Sequence, residues 1–196
     1  MSDTIDFWKG DFGNSYTNRN KFRWQDRQLF WSDLLLKTGV RSIGEVGANV
    51  GYNLSAIKHC LYGGEVQIHG CEINELAYER AYHCGFRVDL EDGLEWLKHF
   101  KGGILEMVFT SGVLIHIPPE DLKAMMTSIV EASSHYVLAI EYEAEEETEV
   151  EYRGHKGKLW KRPYGKLYQD LGLKLVETGE AGQGFDRCTF WLLKKP

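Results

Sequence analysis

The chain's 196 residues, 43% apolar and 27% charged with only 4 Pro, suffice for one domain with a full core and exclude extended disorder. Lys+Arg 23 against Asp+Glu 29 leave a net charge of −6, without the basic footprint of a general nucleic-acid binder. No apolar run approaches the ~20 residues that cross a bilayer, and the start MSDTIDFWKG is no signal peptide, so a cytoplasmic location and no membrane partner are expected.

Residues 1–21 stand apart as a leader. Phe7, Trp8, Phe12 and Tyr16 sit among Gly10, Gly13, Asn14, Asn18 and Asn20, and those glycines and asparagines oppose a regular helix. The stretch reads either as a strap held down by its rings or as a lid over a ligand, with Tyr16, Arg19 and Asn20 as polar contacts. The guanidinium of Arg19 suits a carboxylate. The domain proper follows over residues 22–196. Phe22 to Lys37 reads as a helix stopped at Gly39, and Ser42 to Val46 as the first strand.

Glu45 to Asn53 then run E-x-G-x-x-x-G-x-N. Strand, glycine turn and helix in that order suit a nucleotide-like ligand: Gly47 lets the backbone approach it, and after Gly51 a helix runs to about Cys60. The spacing is not G-x-G-x-x-G, and no Lys-Ser/Thr follows the second glycine, which argues against dinucleotide and NTPase loops. Gly63-Gly64 ends this unit, and Val66 to Cys71 is the second strand. Glu72, just beyond it, stands where a carboxylate takes both hydroxyls of a ribose. Together these features suit an adenosine-containing ligand.

Glu75 to His83 reads as a helix, Phe86 to Val88 as a short third strand, and Asp92 as the cap of a helix over Leu94 to Phe100. Ile104 to Thr110 is the fourth strand. Ligands of an open α/β sheet lie past the carboxyl ends of its strands, so Thr110, Ser111, Gly112 and Val113 face the reacting centre. His116 is the titratable side chain of that run; it reads as a structural histidine or as a ligand contact. Pro118-Pro119-Glu120-Asp121 starts a helix that carries Leu122, Met125, Met126, Ile129 and Val130 to the sheet, and Tyr136 to Ile140 is strand five.

The next stretch, EYEAEEETEVE, is acidic, and the following GHKGKLWKRPYGK is basic. One reading is a solvated loop whose halves neutralise one another. The other is an acceptor-binding flap, in which Arg153, His155, Lys156, Lys158, Lys161 and Arg162 meet phosphate or carboxylate while Trp160 and Tyr164 stack on a sugar or base. Lys166 to Leu171 is a short helix begun near Pro163. Lys174 to Glu177 and Arg187 to Leu193 close the chain as an antiparallel hairpin. Cys60, Cys71, Cys84 and Cys188 show no C-x-x-C pairing and read as buried or half-buried thiols. The pairs His59-Cys60 and His83-Cys84 point their members to different helix faces, so no metal site is expected.

The glycine loop, Glu72 and the later FTSGVLIHI, in that order, resemble a class I S-adenosylmethionine-dependent methyltransferase from Arg41 to the C-terminus. FWKGDFGNSYTNRN and MVFTSGVLIHIPPEDL further resemble the pseudaminic-acid-biosynthesis-associated methylase family. The resemblance implies an α/β fold: one Rossmann-like domain with a seven-stranded, mostly parallel sheet whose last strand is antiparallel. It implies S-adenosylmethionine as cofactor, S-adenosylhomocysteine as product, and a small sugar-related acceptor, which the basic stretch makes anionic. The implied cofactor contacts are Tyr16, Arg19, Glu45, Gly47, Asn49, Gly51 and Asn53, then Glu72 with Ile73, and Thr110 to Val113. Asp89 would accept from the adenine amino group and Leu90 pack on its face. For a hydroxyl acceptor His116 is the first choice of base and His155 the second. Two rival readings stay open: a non-catalytic S-adenosylmethionine-binding partner protein, and an NAD(P)-dependent oxidoreductase, which the glycine spacing and the antiparallel ending oppose.

Overall fold

The structure, a computed structural model, describes residues 2–60 and 66–196; the expected break at Gly63-Gly64 lies outside them. Seven strands make one sheet: β1 (Ser42–Val46), β2 (Gln67–Glu72), β3 (Arg87–Leu90), β4 (Leu105–Ser111), β5 (Ser133–Glu141), β8 (Lys174–Glu180) and β9 (Thr189–Lys194). Their order is β3-β2-β1-β4-β5-β9-β8, and β9 alone runs against its neighbours, β5 and β8. The fold class expected from the sequence is the one observed. The order reverses between β1 and β4, which opens a crevice at their carboxyl ends.

Helices cover both faces because the central strands are apolar on both sides, as parallel strands require. In β4, Met107, Val108 and Phe109 are all fully buried. One face packs Trp96, Met125, Ile129, Tyr164 and Tyr168; the other packs Trp31, Leu35, Ile57 and Phe185. Each fully buried Ile, Leu or Phe among them contributes ~1.5–3 kcal/mol of burial. The flanking helices are α3 (Gln28–Thr38), α4 (Tyr52–Lys58), α5 (Glu75–His83), α6 (Gly93–Lys98), α7 (Pro119–Ala132) and α8 (Tyr164–Asp170). In α7, Leu122, Met125, Met126 and Ile129 are buried at helical spacing behind the proline start.

Four local expectations are corrected, the last being the burial of Cys84. The leader is helical after all, as α1 (Ser2–Lys9) and α2 (Asp11–Arg19). Gly13 is there for close approach: a Cβ at that position would lie 1.8 Å from the Trp8 carbonyl and 2.8 Å from Asn74 Nδ2. Tertiary packing has overridden the weak local propensity. The helix expected from Phe22 begins later, with a 3-10 turn at Trp24–Arg27 leading into α3. The connection after β5 is not an open loop but carries a small antiparallel pair, β6 (Thr148–Glu149) and β7 (Trp160–Lys161). Cys84 is exposed, whereas Cys71 and Cys188 are buried and Cys60 is half-buried; all four thiols are free.

Candidate functional site

A chamber of about 150 Å³ opens at the carboxyl ends of β1, β2 and β4. Val46 and Gly47 form one wall, Glu72 and Ile73 the next, and Ser111, Gly112 and Val113 a third. Gly47 adopts φ 71°, and a Cβ there would lie 2.6 Å from Val113 Cγ2, so no other residue fits that bend. Glu72 is 6% exposed. Its Oε2 accepts from the Asn49 amide at 2.7 Å, and its Oε1 accepts from the amides of Ile73 and Asn74 at 2.8 Å each. Burial raises its pKa, and these backbone donors work the other way. The carboxylate is thereby aimed by the main chain and has acceptor capacity left over.

The roof of this chamber is α1 and α2, through Thr4, Ile5, Trp8, Gly13, Tyr16 and Thr17. They are tied to α5. Asn74 accepts at Oδ1 from Ala77 as the helix cap, while its Nδ2 donates to the Trp8 carbonyl at 3.1 Å and Asn14 Oδ1 at 2.9 Å. Arg80 donates to the Thr17 carbonyl and Asn18 Oδ1. On the other side, Phe7 and Phe12 pack on the His155 ring at 5.0 and 5.4 Å, and Lys158 lies over Phe7.

A second, more polar chamber of about 190 Å³ lies against the first. Tyr16, Ser111, Gly112 and His116 line both. Tyr142, Tyr152, Phe22 and Phe185 wall it, with Arg27, Arg153 and Asp186 as its charged members. Arg153 takes φ 52°, an uncommon backbone for a non-glycine residue.

His116 sits at the junction on a one-turn 3-10 segment, Leu114–His116. Its ring packs on Trp8 at 4.5 Å and Tyr152 at 5.2 Å. Nδ1 lies 2.6 Å from the Lys158 carbonyl, which only accepts, so Nδ1 carries the proton and Nε2 is left with a lone pair. Burial pushes the imidazole pKa down to about 4. The turn itself is held from two sides. Glu141, fully buried at the end of β5, accepts from the amides of Val113 and Leu114 at 3.1 Å and of Ile115 at 3.4 Å. Arg162, also fully buried, donates from Nη1 to the Leu114 carbonyl and from Nη2 to the Ile117 carbonyl, both at 2.9 Å, and from Nε to Glu147. Burial raises the Glu141 pKa to about 7, opposed by the three amides.

Of the residues expected around the cofactor, Tyr16, Gly47, Asn49, Glu72, Ile73, Ser111, Gly112 and Val113 line the first chamber. Others stand elsewhere for identifiable reasons. Glu45 turns into the core, where its Oε1 accepts from Asn53 Nδ2 at 2.7 Å; Asn53 Oδ1 accepts in turn from Arg27 and Trp31. Gly51 serves the turn into α4 against Phe86, and Thr110 is fully buried in β4, outside the chamber lining. Arg19 lies over the faces of Phe12 and Tyr16, behind the chamber wall. Asp89 accepts from the Trp96 indole at 2.9 Å and Leu90 is 47% exposed, so neither reaches the chamber. Asp92, the cap of α6, does line it.

The acceptor set is corrected more heavily. Only Arg153 lines the second chamber. Arg162 and Tyr164 are fully buried and Trp160 nearly so, packed beneath the His116 turn. Lys158 contributes its carbonyl, Lys161 lies over Tyr142, and the exposed His155 packs on the leader rather than facing a ligand. Sequence reasoning missed Arg27, Tyr142, Tyr152 and Glu141. The legible signal for Glu141 was its place as the first acid after an apolar strand.

No family model matches this chain, and no curated protein matches it in sequence. Solved structures do match in fold. The magnesium protoporphyrin IX methyltransferase of Synechocystis PCC 6803, with bound S-adenosylmethionine, superimposes with a TM-score of 0.69 at 15% identity, over 100% of this chain and 96% of that one. The 1,6-didemethyltoxoflavin-N1-methyltransferase of Burkholderia thailandensis, with 1,6-didemethyltoxoflavin and S-adenosylhomocysteine bound, gives 0.70 at 11% identity over 99% and 86%. DhpI in complex with S-adenosylhomocysteine gives 0.68 at 14% over 100% and 97%. The chain has the class I methyltransferase fold.

Proposed function

We propose that this protein is an S-adenosylmethionine-dependent methyltransferase acting on a small, sugar-related acceptor that carries negative charge. The observation that carries the reading is the meeting of two chambers at Tyr16, Ser111, Gly112 and His116. Two ligands held there face one another across a short shared wall, which is the arrangement group transfer needs. The first chamber suits the cofactor: Glu72 is a main-chain-oriented acceptor for ribose hydroxyls, and Trp8, in the roof, has a buried Nε1–H with no partner among the described residues. Gly47 and Gly112, both with positive φ, admit a ligand close to the backbone.

When bound, S-adenosylmethionine supplies an electrophilic methyl group on a sulfonium and leaves as S-adenosylhomocysteine. The chain's own residues do the rest. α1 and α2 act as the lid over residues 22–196 and exclude water from the first chamber. His116 stays neutral at physiological pH and offers Nε2 to the acceptor's O–H or N–H; it orients that group and draws its proton as charge develops. Arg153 on the second chamber supports an acceptor with negative charge. The resemblance of FWKGDFGNSYTNRN and MVFTSGVLIHIPPEDL supports its sugar character. Neighbours of the same fold are named for magnesium protoporphyrin IX and 1,6-didemethyltoxoflavin, both small molecules.

The test is incubation with methyl-labelled S-adenosylmethionine and a panel of acidic sugars, nucleotide sugars and neutral controls, read by mass. A methyl gain on an acidic or nucleotide sugar is expected. Gain only on neutral or non-sugar compounds overturns the acceptor class, and tight cofactor binding without turnover on any compound favours the non-catalytic binder.

A further inference from the structure

We infer that the second chamber seats an acidic group of its ligand, a carboxylate or phosphate, on the buried guanidinium of Arg27; only the naming of that ligand as the acceptor rests on the methyltransferase reading. Arg27 is 8% exposed and lines the chamber. Its Nε donates to the Gly184 carbonyl and its Nη1 to Asn53 Oδ1, each at 2.9 Å. Nη2 has no hydrogen-bond partner among the described residues. The guanidinium carbon lies 4.6 Å from the Phe185 ring and 5.4 Å from the Phe22 ring, which fix its plane. Gly184 leaves room for the stem, since a Cβ there would lie 2.8 Å from Arg27 Cγ. The cation is therefore held rigidly, but by an amide, a carbonyl and three rings, Tyr52 being the third at 6.0 Å, all of them neutral.

A buried charge without a counter-charge is unfavourable, and a fixed guanidinium with free N–H groups matches an oxyanion in geometry as well as sign. The acid nearest in the network is Glu45, on the far side of Asn53. Glu45 and Arg27 make no direct ion pair, since Asn53 stands between them, and burial raises the Glu45 pKa against the pull of Arg27, which weakens it as a counter-charge. Arg153 and Asp186 complete the charged lining, and both are exposed, so solvent screens them. Two guanidiniums against one carboxylate leave the chamber positive in a chain whose net charge is −6.

Calorimetry on the full chain, with and without S-adenosylhomocysteine, tests this with benzoate, phenyl phosphate and the neutral benzamide; the phenyl group suits walls that include Tyr142 and Tyr152. At least one anion is expected to bind roughly tenfold or more tightly than benzamide, a difference of about one decade in Kd. Whichever anion binds tighter identifies the acidic group. Arg27→Met should erase the preference, Arg27→Lys should restore part of it, and neither should change S-adenosylhomocysteine affinity more than about twofold. Titrating the wild-type protein by NMR guards against a misfolded variant: the Arg27 Nε–H resonance should shift with the anion and not with benzamide. No anion preference in the wild type, or one that survives Arg27→Met, overturns the inference. Anion preference without any S-adenosylhomocysteine binding would sink the methyltransferase reading and leave the anion seat standing.

Discussion

His116 and Glu141 are both buried, yet pH acts on them in opposite directions. Burial lowers the folded-state pKa of His116 from 6.5 to about 4, so between those values the unfolded chain takes up a proton that the folded one refuses. Its share of stability is complete above pH 6.5 and is lost as pH falls toward 4. Glu141 is raised from 4.5 to about 7, so its share is present below pH 4.5 and is lost as pH rises through 7. Thermal unfolding followed across pH should show losses on both sides of a mildly acidic optimum. His116→Asn should flatten the acid side and Glu141→Gln part of the alkaline side, with Glu45, raised to about 8, and Glu72, also raised by burial, keeping the remainder. Unchanged profiles in both variants would mean that neither group is buried as described. At Glu72, replacement by Ala should weaken S-adenosylhomocysteine binding by roughly 1.5–3 kcal/mol, the range for a hydrogen bond to a charged group; unaltered affinity in a folded variant would move the ribose contact elsewhere. Glu72 and His116 were legible because each follows an apolar strand at a sheet's carboxyl edge. Glu141 has the same placement, but six further glutamates over the next ten residues disguised it as the first member of a solvated run.

Among the elements, the connection after β5 changes role most. Its basic half was expected to meet an acceptor, and instead Arg162 ties down the carbonyls of Leu114 and Ile117 while the Lys158 carbonyl sets the tautomer of His116. Replacing Arg162 with Met strands those carbonyls in the core and should cost about 3–5 kcal/mol, the range for breaking a buried charged network. Methyl transfer by that variant should fall in kcat with little change in acceptor KM; a rise in KM alone would return Arg162 to the acceptor. The hairpin of β6 and β7 escaped the sequence reading because two-residue strands carry no period to detect. The leader misled for a different reason. Gly13 and Asn14 lower local helix propensity, but their value lies in close approach to Trp8 and in contact with Asn74, some sixty residues away. Deleting residues 1–20 should leave a cooperatively folding core and raise the Kd for S-adenosylhomocysteine by roughly tenfold or more, equivalent to about 1.4 kcal/mol of lost lid contacts. Loss of stability with intact affinity would make α1 and α2 a strap.

For the whole molecule, the sheet was the most legible feature. Long apolar strands alternating with amphipathic helices admit few topologies, and the closing hairpin after Lys174 forces one antiparallel strand. That order puts a crevice beside β1 and β4, where the glycine loop, Glu72 and His116 converge although they are distant in sequence. The second chamber was illegible, because Phe22, Arg27, Tyr142, Tyr152 and Asp186 come from three separate connections and share no motif. The identity of the first chamber's ligand decides the function. Calorimetric titration of the intact chain with S-adenosylhomocysteine and, separately, with NAD tests it most directly. One-to-one binding of S-adenosylhomocysteine with no heat from NAD is expected; comparable affinity for NAD, or no binding of S-adenosylhomocysteine at all, would contradict it.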